Sequence, residues 1–252
     1  MGIRSELASG KRSNGAMVFE FFTPGLPQLM HLAGCEFIIF DMEHTGVSHD
    51  TLRMQAALCR GLPLVPLARA PSSEYHHIAR LLDIGMKGVM VPMVESAEEA
   101  RAIVSACRFP PEGRRGAAFG FAHDDFETGA PADKIARANA ETLVIAQVET
   151  ERGLSAAREI AAVDGIDVIW IGQFDLSNFL GVPGGFDSQT YRDAVQEIKA
   201  AAKAEGKATG ILAIGKDAAR QYAEEGFDMI AVGTDHGLLL DGVRTALEAA
   251  QR

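Results

Sequence analysis

Leu143-Val144-Ile145-Ala146-Gln147-Val148-Glu149, then Gly153-Leu154-Ser155-Ala156-Ala157-Arg158-Glu159-Ile160-Ala161-Ala162, then Val168-Ile169-Trp170-Ile171-Gly172 decide the fold. The first and last pieces are apolar runs too short for a buried helix and rich in β-branched residues, so they read as strands. The middle piece has the composition and period of a helix. Two strands joined by a helix lie parallel, because the crossover returns the chain to the same edge of the sheet. Working outward, the same alternation recurs along the chain. Eight apolar runs appear, at residues 17–22, 36–41, 64–69, 88–92, 143–148, 168–172, 208–212 and 229–233. Helical stretches separate them, among them 48–60, 73–83, 96–107, 153–162, 188–205 and 216–225. Ser48, Ser96 and Ser188 stand where a side-chain oxygen caps a helix start, and Gly61, Gly85, Gly206 and Gly226 stand where helices stop. Eight units in 252 residues predict an α/β fold, one (β/α)8 TIM barrel filling residues 1–252 as a single domain.

Composition excludes several partners. The formal net charge is −10, and Lys11-Arg12 and Arg114-Arg115 are only pairs, so nucleic acid and anionic membrane surfaces are not expected to bind. Residues 1–14 mix Arg4, Glu6, Lys11 and Arg12 without an apolar core, which predicts no secretory signal. No apolar run is long enough to span a bilayer. Cys35, Cys59 and Cys107 are odd in number and widely spaced, fitting neither a disulfide framework nor a zinc site. They read as small core residues of a cytoplasmic protein. One connection is irregular: residues 109–139, with two consecutive prolines and His123-Asp124-Asp125, are longer than an ordinary loop and are expected to cover a site on the catalytic face.

In such barrels, the C-terminal ends of the strands carry the chemistry. The second run ends Phe40-Asp41-Met42-Glu43-His44, so Asp41 is placed to orient and polarise the His44 imidazole for proton transfer. The third ends Ala68-Arg69-Ala70, bringing a guanidinium suited to a carboxylate or a developing enolate oxygen. The fifth presents Gln147 and Glu149 on one side, and the sixth leads to Asp175. Two carboxylates from adjacent strands, without a Cys or His cluster, make a hard oxygen site for Mg²⁺ or Mn²⁺ with positions left to water. A cation so held would chelate a 2-oxo acid and stabilise its enolate.

With these residues the chain resembles the metal-dependent 2-oxo acid aldolases of the HpcH/HpaI family, the class II pyruvate aldolases. The motifs run nearly end to end: Phe19, the Phe40-Asp41-Met42-Glu43-His44 segment, Val91-Pro92-Met93-Val94, Pro110-Pro111-Glu112-Gly113, Arg115-Gly116, Gln147-Val148-Glu149-Thr150, Ile171-Gly172 with Asp175-Leu176-Ser177, and Ala231-Val232-Gly233. The resemblance implies a lyase acting on 4-hydroxy-2-oxo acids, joining pyruvate or hydroxypyruvate to an aldehyde. It implies a divalent cation (Mg²⁺, Mn²⁺ or Co²⁺) held by Glu149 and Asp175, with Arg69 on the oxo acid and Asp41–His44 relaying protons. Gln147 and the backbone from Gly172 to Asp175 would touch substrate, Leu212 would line the pocket, and Asp83 would reach a neighbouring subunit's site. Homo-hexamers, trimers of dimers with an exchanged C-terminal helix, are likewise implied. The chain departs from the family pattern at Gly172-Gln173-Phe174-Asp175, where Gly-Pro and then a small residue are usual. Phe174 is therefore expected to narrow the substrate pocket. The loop Phe119-Gly120-Phe121-Ala122-His123 is also less basic than the pattern. Both departures favour small hydroxylated partners, such as hydroxypyruvate as donor or a sugar-derived aldehyde.

Rival chemistries find fewer residues. A Schiff-base aldolase needs a rim lysine, whereas Lys87 and Lys207 precede their strands and Lys216 opens a helix. A phosphate site after the last two strands would meet Asp235 and no basic partner. A non-catalytic 2-oxo acid binder would not need the acid, base and cation set. His76-His77 reads as a solvated face, His31 and His49 lack partners at ligand spacing, His236 reads as structural, and Trp170 as barrel wall.

Overall fold

Strand register in the computed structural model, which describes residues 2–251, closes the sheet completely. The strands are β1 (Ser13–Val18), β2 (Phe37–Asp41), β3 (Val65–Arg69), β4 (Gly88–Val91), β5 (Leu143–Val148), β6 (Val168–Ile171), β7 (Ala208–Leu212) and β8 (Met229–Thr234). They pair in parallel, each with the next, and β1 pairs with β8 to complete the barrel. Every strand side chain faces either the barrel interior or the helices, at a period of two. Phe37, Ile39, Leu67, Met90, Ile145, Trp170 and Ala231 fill the interior, while Ile38, Phe40, Ala68, Val89, Ala146, Ile169 and Ile230 pack against the surrounding helices. Trp170 thus belongs to the barrel core, as its sequence position implied, and it has room because Gly210 faces it: a Cβ there would lie 2.2 Å from the Trp170 ring.

Seven strands fall within a residue or two of the runs read from the sequence. The first does not. β1 begins at Ser13-Asn14-Gly15, and the aromatic stretch from Phe19 turns out of the sheet. Polar, small residues suffice because Gly15 pairs with Phe37 so closely that a Cβ would sit 2.1 Å from the Phe37 carbonyl oxygen. The chain leaves the sheet because the Asp235 carboxylate accepts the N–H groups of Phe19, Glu20 and Phe21 at 3.0, 3.0 and 2.6 Å, taking the donors a continuing ladder would use.

Ser48, Ser96 and Ser188 cap their helices as expected, accepting from Thr51, Glu99 and Tyr191 N–H. Thr150 and Thr234 do the same for helices Glu151–Ser155 and Asp235–Ala250. A short helix, Ile3–Ala8, sends Ile3 and Leu7 into the cluster of interior side chains and plugs the N-terminal mouth. The segment 109–139 lies elsewhere than expected. It follows helix Ala97–Cys107 and precedes β5, so both its ends sit at the N-terminal rim, opposite the catalytic face. It is also more ordered than a loop, containing a 3₁₀ turn at Ala122–Asp124 and most of helix Pro131–Glu141. Its Asp125 pairs with Arg60 and Lys87, and its Arg115 with Asp83, all groups that precede strands or end helices. Among the described residues no helix is long and apolar enough to cross a membrane. Cys59 and Cys107 are buried and free, and burial raises both thiols to about 12.

Candidate active site

The alternation that fills the barrel also builds its rim. Ile39 and Leu67 point inward, so two residues later Asp41 and Arg69 do too, and the two are register partners across β2 and β3. Arg69 Nε donates to Asp41 Oδ1 at 2.5 Å, and Nη1 lies 2.9 Å from Glu43 Oε2. The guanidinium also stacks 5.6 Å from the Phe19 ring centroid. Two carboxylates and an aromatic face therefore fix one cation at the rim. Asp41 is wholly buried.

His44 takes a different partner from the one its spacing implied. Asp41 Oδ2 accepts the backbone N–H of His44 at 2.8 Å, closing the turn after β2, and does not hold the ring. The imidazole, half exposed, instead has Nε2 3.6 Å from Glu43 Oε2. The physical reason is competition: a carboxylate three residues before an amide at a strand end satisfies the orphan N–H first. Glu43, passed over in the sequence, thus stands between Arg69 and His44, and burial pushes its carboxyl above the ordinary range despite Arg69.

On the far side of the rim, Glu149 Oε1 accepts Met93 N–H at 2.7 Å and Oε2 accepts Gln147 Nε2 at 2.5 Å. Met93 offers that N–H from a left-handed conformation, φ 55°, in the turn after β4. Gly172 makes room: any Cβ there would lie 2.0 Å from Glu149 Oε2. Burial lifts the Glu149 carboxyl to about 7; the two hydrogen bonds oppose this, and the negative fields of Glu43 and Asp175 add to it. Asp175 comes from the first turn of helix Gln173–Phe179, directly after β6. Phe174 is exposed beside it, braced edge-on by Phe186 at a centroid distance of 5.2 Å.

His44, Arg69, Gln147, Glu149, Gly172, Phe174, Asp175 and Leu212 all line one cavity of about 270 Å³ at the C-terminal face. That volume suits small metabolites. Of the residues anticipated, Asp41 lies behind Arg69, and Asp83 is not in the group. Asp83 ends helix Tyr75–Asp83 at the opposite rim, half exposed and 2.8 Å from Arg115. The sequence reading gave the Gln173 side chain no role, and it took His236 for structural, although both residues line the cavity. Asp235, expected after the last strand without a basic partner, is buried against residues 19–21, where its carboxylate serves the backbone. Burial would raise that carboxyl, yet the backbone N–H groups of Phe21, Phe19, Glu20 and His236 together hold it below the ordinary range.

The donor set fits a divalent cation. Among the described residues no three His, Cys, Asp or Glu side chains converge as a complete cage. Two carboxylates with the remaining positions left to water and substrate oxygens are what a Mg²⁺-like ion accepts. The unrelieved negative charge around Glu149 is the kind a cation neutralises.

A sequence profile of the HpcH/HpaI aldolase/citrate lyase family matches residues 20–242. The chain belongs to this family. It is 35% identical to a hydroxypyruvate/pyruvate aldolase of Roseovarius nubinhibens, over 97% of this chain and 94% of that one. It is also 35% identical to a 5-keto-4-deoxy-D-glucarate aldolase of Salmonella arizonae, over 88% and 86%. The crystal structure of an HpcH/HpaI aldolase from Desulfitobacterium hafniense superposes with a TM-score of 0.94 at 27% identity, covering 100% of this chain and 97% of that one. As an HpcH/HpaI aldolase the chain is a carbon–carbon lyase, and the fold and family resemblance read from its motifs both hold.

Proposed function

We propose that this HpcH/HpaI family member catalyses reversible aldol cleavage of 4-hydroxy-2-oxo acids, with pyruvate or hydroxypyruvate as the oxo acid, and that Glu149 and Asp175 hold the divalent cation it uses. The observation that carries this reading is that Arg69, His44, Glu149 and Asp175 line one cavity. Bound between the two carboxylates, Mg²⁺, Mn²⁺ or Co²⁺ would supply Lewis-acid polarisation of the oxo acid's oxygens. The chain's own groups do the rest. Arg69, immobilised by Asp41 and Glu43, offers a preorganised positive charge where negative charge develops on the enolate oxygen. His44 carries the proton lost from or returned to the 4-hydroxyl oxygen, with Glu43 beside its ring. Gln147 fixes the Glu149 carboxylate, Leu212 and Phe174 bound the apolar walls, and Gly172 keeps the approach to Glu149 open.

Among the described residues no lysine lines the cavity, which favours this chemistry over a Schiff base. The test is a cleavage panel of 4-hydroxy-2-oxo acids that follows oxo acid release. Chelation is expected to abolish turnover, with Mg²⁺, Mn²⁺ or Co²⁺ restoring it, and borohydride with pyruvate is expected to leave the protein unmodified. Activity that survives chelation but is lost to borohydride would replace the cation with a lysine.

The assembly belongs to the same proposal. Leu239, Leu240, Val243 and Leu247 of helix Asp235–Ala250 are about half exposed, and the helix meets its own barrel chiefly at β1 and β8. An apolar helix face of this kind seeks a partner. It fits a homo-hexamer, a trimer of dimers exchanging this helix, in which Asp83 reaches a neighbour's site from the rim opposite its own.

A further inference from the structure

His236 follows β8 and lines the catalytic cavity, yet takes no part in the reaction proposed above. Closure of the barrel fixes where it stands. Glu149 and Asp175 come from the ends of β5 and β6, and Arg69 from β3, so an oxo acid held between the cation and Arg69 takes the side of the rim from β3 to β6. The rest of the cavity wall comes from β7, β8 and β1 as Leu212, Thr234, His236, Met17 and Phe19, while His44, after β2, stands between the two sides. Leu212, Met17 and Phe19 are apolar, which leaves Thr234 and His236 as the polar side chains on the side open to the aldehyde.

These two differ in what they have to spare. Thr234 Oγ1 accepts Gly237 N–H at 3.2 Å and caps the helix that follows. The His236 side chain is 49% exposed, with the Phe19 ring set edge-on to it at a centroid distance of 6.1 Å. Its Nδ1 lies 3.4 Å from Oδ1 of Asp235, a carboxylate that backbone N–H groups keep ionised, so the hydrogen of a neutral ring belongs on Nδ1. Nε2 is then an acceptor. Thr234 Oγ1 is 3.4 Å from it, too far for a well-formed O–H···N bond. His236 thus has an unfilled acceptor nitrogen on a side chain that is open at the cavity.

The substrates offer few groups that fill a lone pair. Their carboxylate, ketone and aldehyde oxygens only accept, whereas a hydroxyl donates. A carboxylate would require a protonated ring, in a site where Glu43, Glu149, Asp175 and the oxo acid's own carboxylate already outweigh Arg69 and a divalent cation. We propose that His236 is a specificity-determining residue whose imidazole accepts a hydrogen bond from a hydroxyl of the aldehyde substrate, favouring hydroxylated aldehydes over their deoxy counterparts. The proposal rests on the aldolase reading above and deepens it.

Three kcat/KM ratios test this in the cation-loaded wild type, in His236→Phe, which keeps a ring without nitrogens, and in His236→Gln, which returns an amide oxygen near the place of Nε2. With pyruvate as the oxo acid, glycolaldehyde and glyoxylate are each compared with acetaldehyde. With acetaldehyde as the aldehyde, hydroxypyruvate is compared with pyruvate. In His236→Phe the glycolaldehyde ratio is expected to fall about tenfold, the loss typical of one hydrogen bond, and in His236→Gln to return to within about threefold of wild type. The other two ratios are expected to hold. A fall in the glyoxylate ratio would mean that a protonated ring reads a carboxylate, and a fall in the hydroxypyruvate ratio would put the hydroxyl on the oxo acid; either overturns the assignment. A glycolaldehyde ratio that is unchanged overturns it too, as does one that falls equally in both variants and so reports the ring's bulk. If neither variant folds, His236 is a structural residue and the assignment falls. All these outcomes leave the aldolase reading intact while the wild type turns over. A wild type inactive with all three aldehydes, whichever of the three cations is loaded, would overturn the aldolase reading and this inference together.

Discussion

Glu149→Gln is expected to abolish measurable divalent-cation binding and to lower kcat for aldol cleavage by at least about 10³-fold. The side chain is almost isosteric, and its carbonyl oxygen can still accept Met93 N–H, so the fold survives. What disappears is a formal charge in a site whose other proposed ligand, Asp175, is a single carboxylate. Stability should move the opposite way. Burial lifts the Glu149 carboxyl to about 7, so the metal-free folded protein holds its proton more tightly than the unfolded chain does. For an acid shifted upward, ionisation opposes folding. The penalty is absent below the ordinary carboxylate range, grows as pH rises towards 7, and is complete above it. The shift is worth about 3 kcal/mol at pH 8 and losing the charge-assisted bond from Gln147 takes back about 1 kcal/mol, so the metal-free Glu149→Gln variant should be more stable than metal-free wild type by about 2 kcal/mol. Urea denaturation and calorimetric titration with Mn²⁺ check the two halves. A variant that binds Mn²⁺ like the wild type would remove Glu149 from the cation site.

Arg69→Lys should separate the oxyanion-stabilising charge from the cation site. An ammonium keeps the charge but cannot span Asp41 and Glu43 while also facing the cavity, as the forked guanidinium does. Cleavage is expected to slow by about 10²–10³-fold, as for loss of one preorganised transition-state donor. Mn²⁺ affinity should change little. Stability should fall by about 3 kcal/mol, because the wholly buried Asp41 carboxylate loses its strongest partner. Steady-state kinetics, Mn²⁺ titration and denaturation of the same preparation report all three. A variant with wild-type kcat would show that Arg69 serves the fold alone.

Much of this arrangement is legible in the sequence alone, for a reason specific to barrels. Period-two alternation fixes which strand residues face inward, and the rule that chemistry gathers at the C-terminal ends then picks out Arg69, Gln147 and Glu149 without knowledge of their contacts. The failures are equally physical. Phe19-Glu20-Phe21-Phe22 looks more like a strand than Ser13-Asn14-Gly15 does, and only the distant Asp235 carboxylate and the tight Gly15–Phe37 approach reverse that preference. The Asp41–His44 spacing is compatible with a ring contact or a backbone contact, and local geometry chose the backbone. Glu43 was readable in principle, since it lies two residues beyond Asp41. The position of segment 109–139 was readable too, because a stretch between a helix and the next strand lies at the N-terminal rim. His236 follows the last strand, but that it lines the cavity is settled only in three dimensions.

The proposed reaction requires Glu149 and Asp175 jointly to hold a cation that acidifies a 2-oxo acid in front of Arg69. Exchange of the pyruvate methyl protons with D₂O, followed by NMR without any aldehyde, tests this most directly. Exchange that appears with Mg²⁺, Mn²⁺ or Co²⁺ and vanishes on chelation is the predicted result. Exchange that persists in the chelated protein, or fails with every one of these cations, would contradict it.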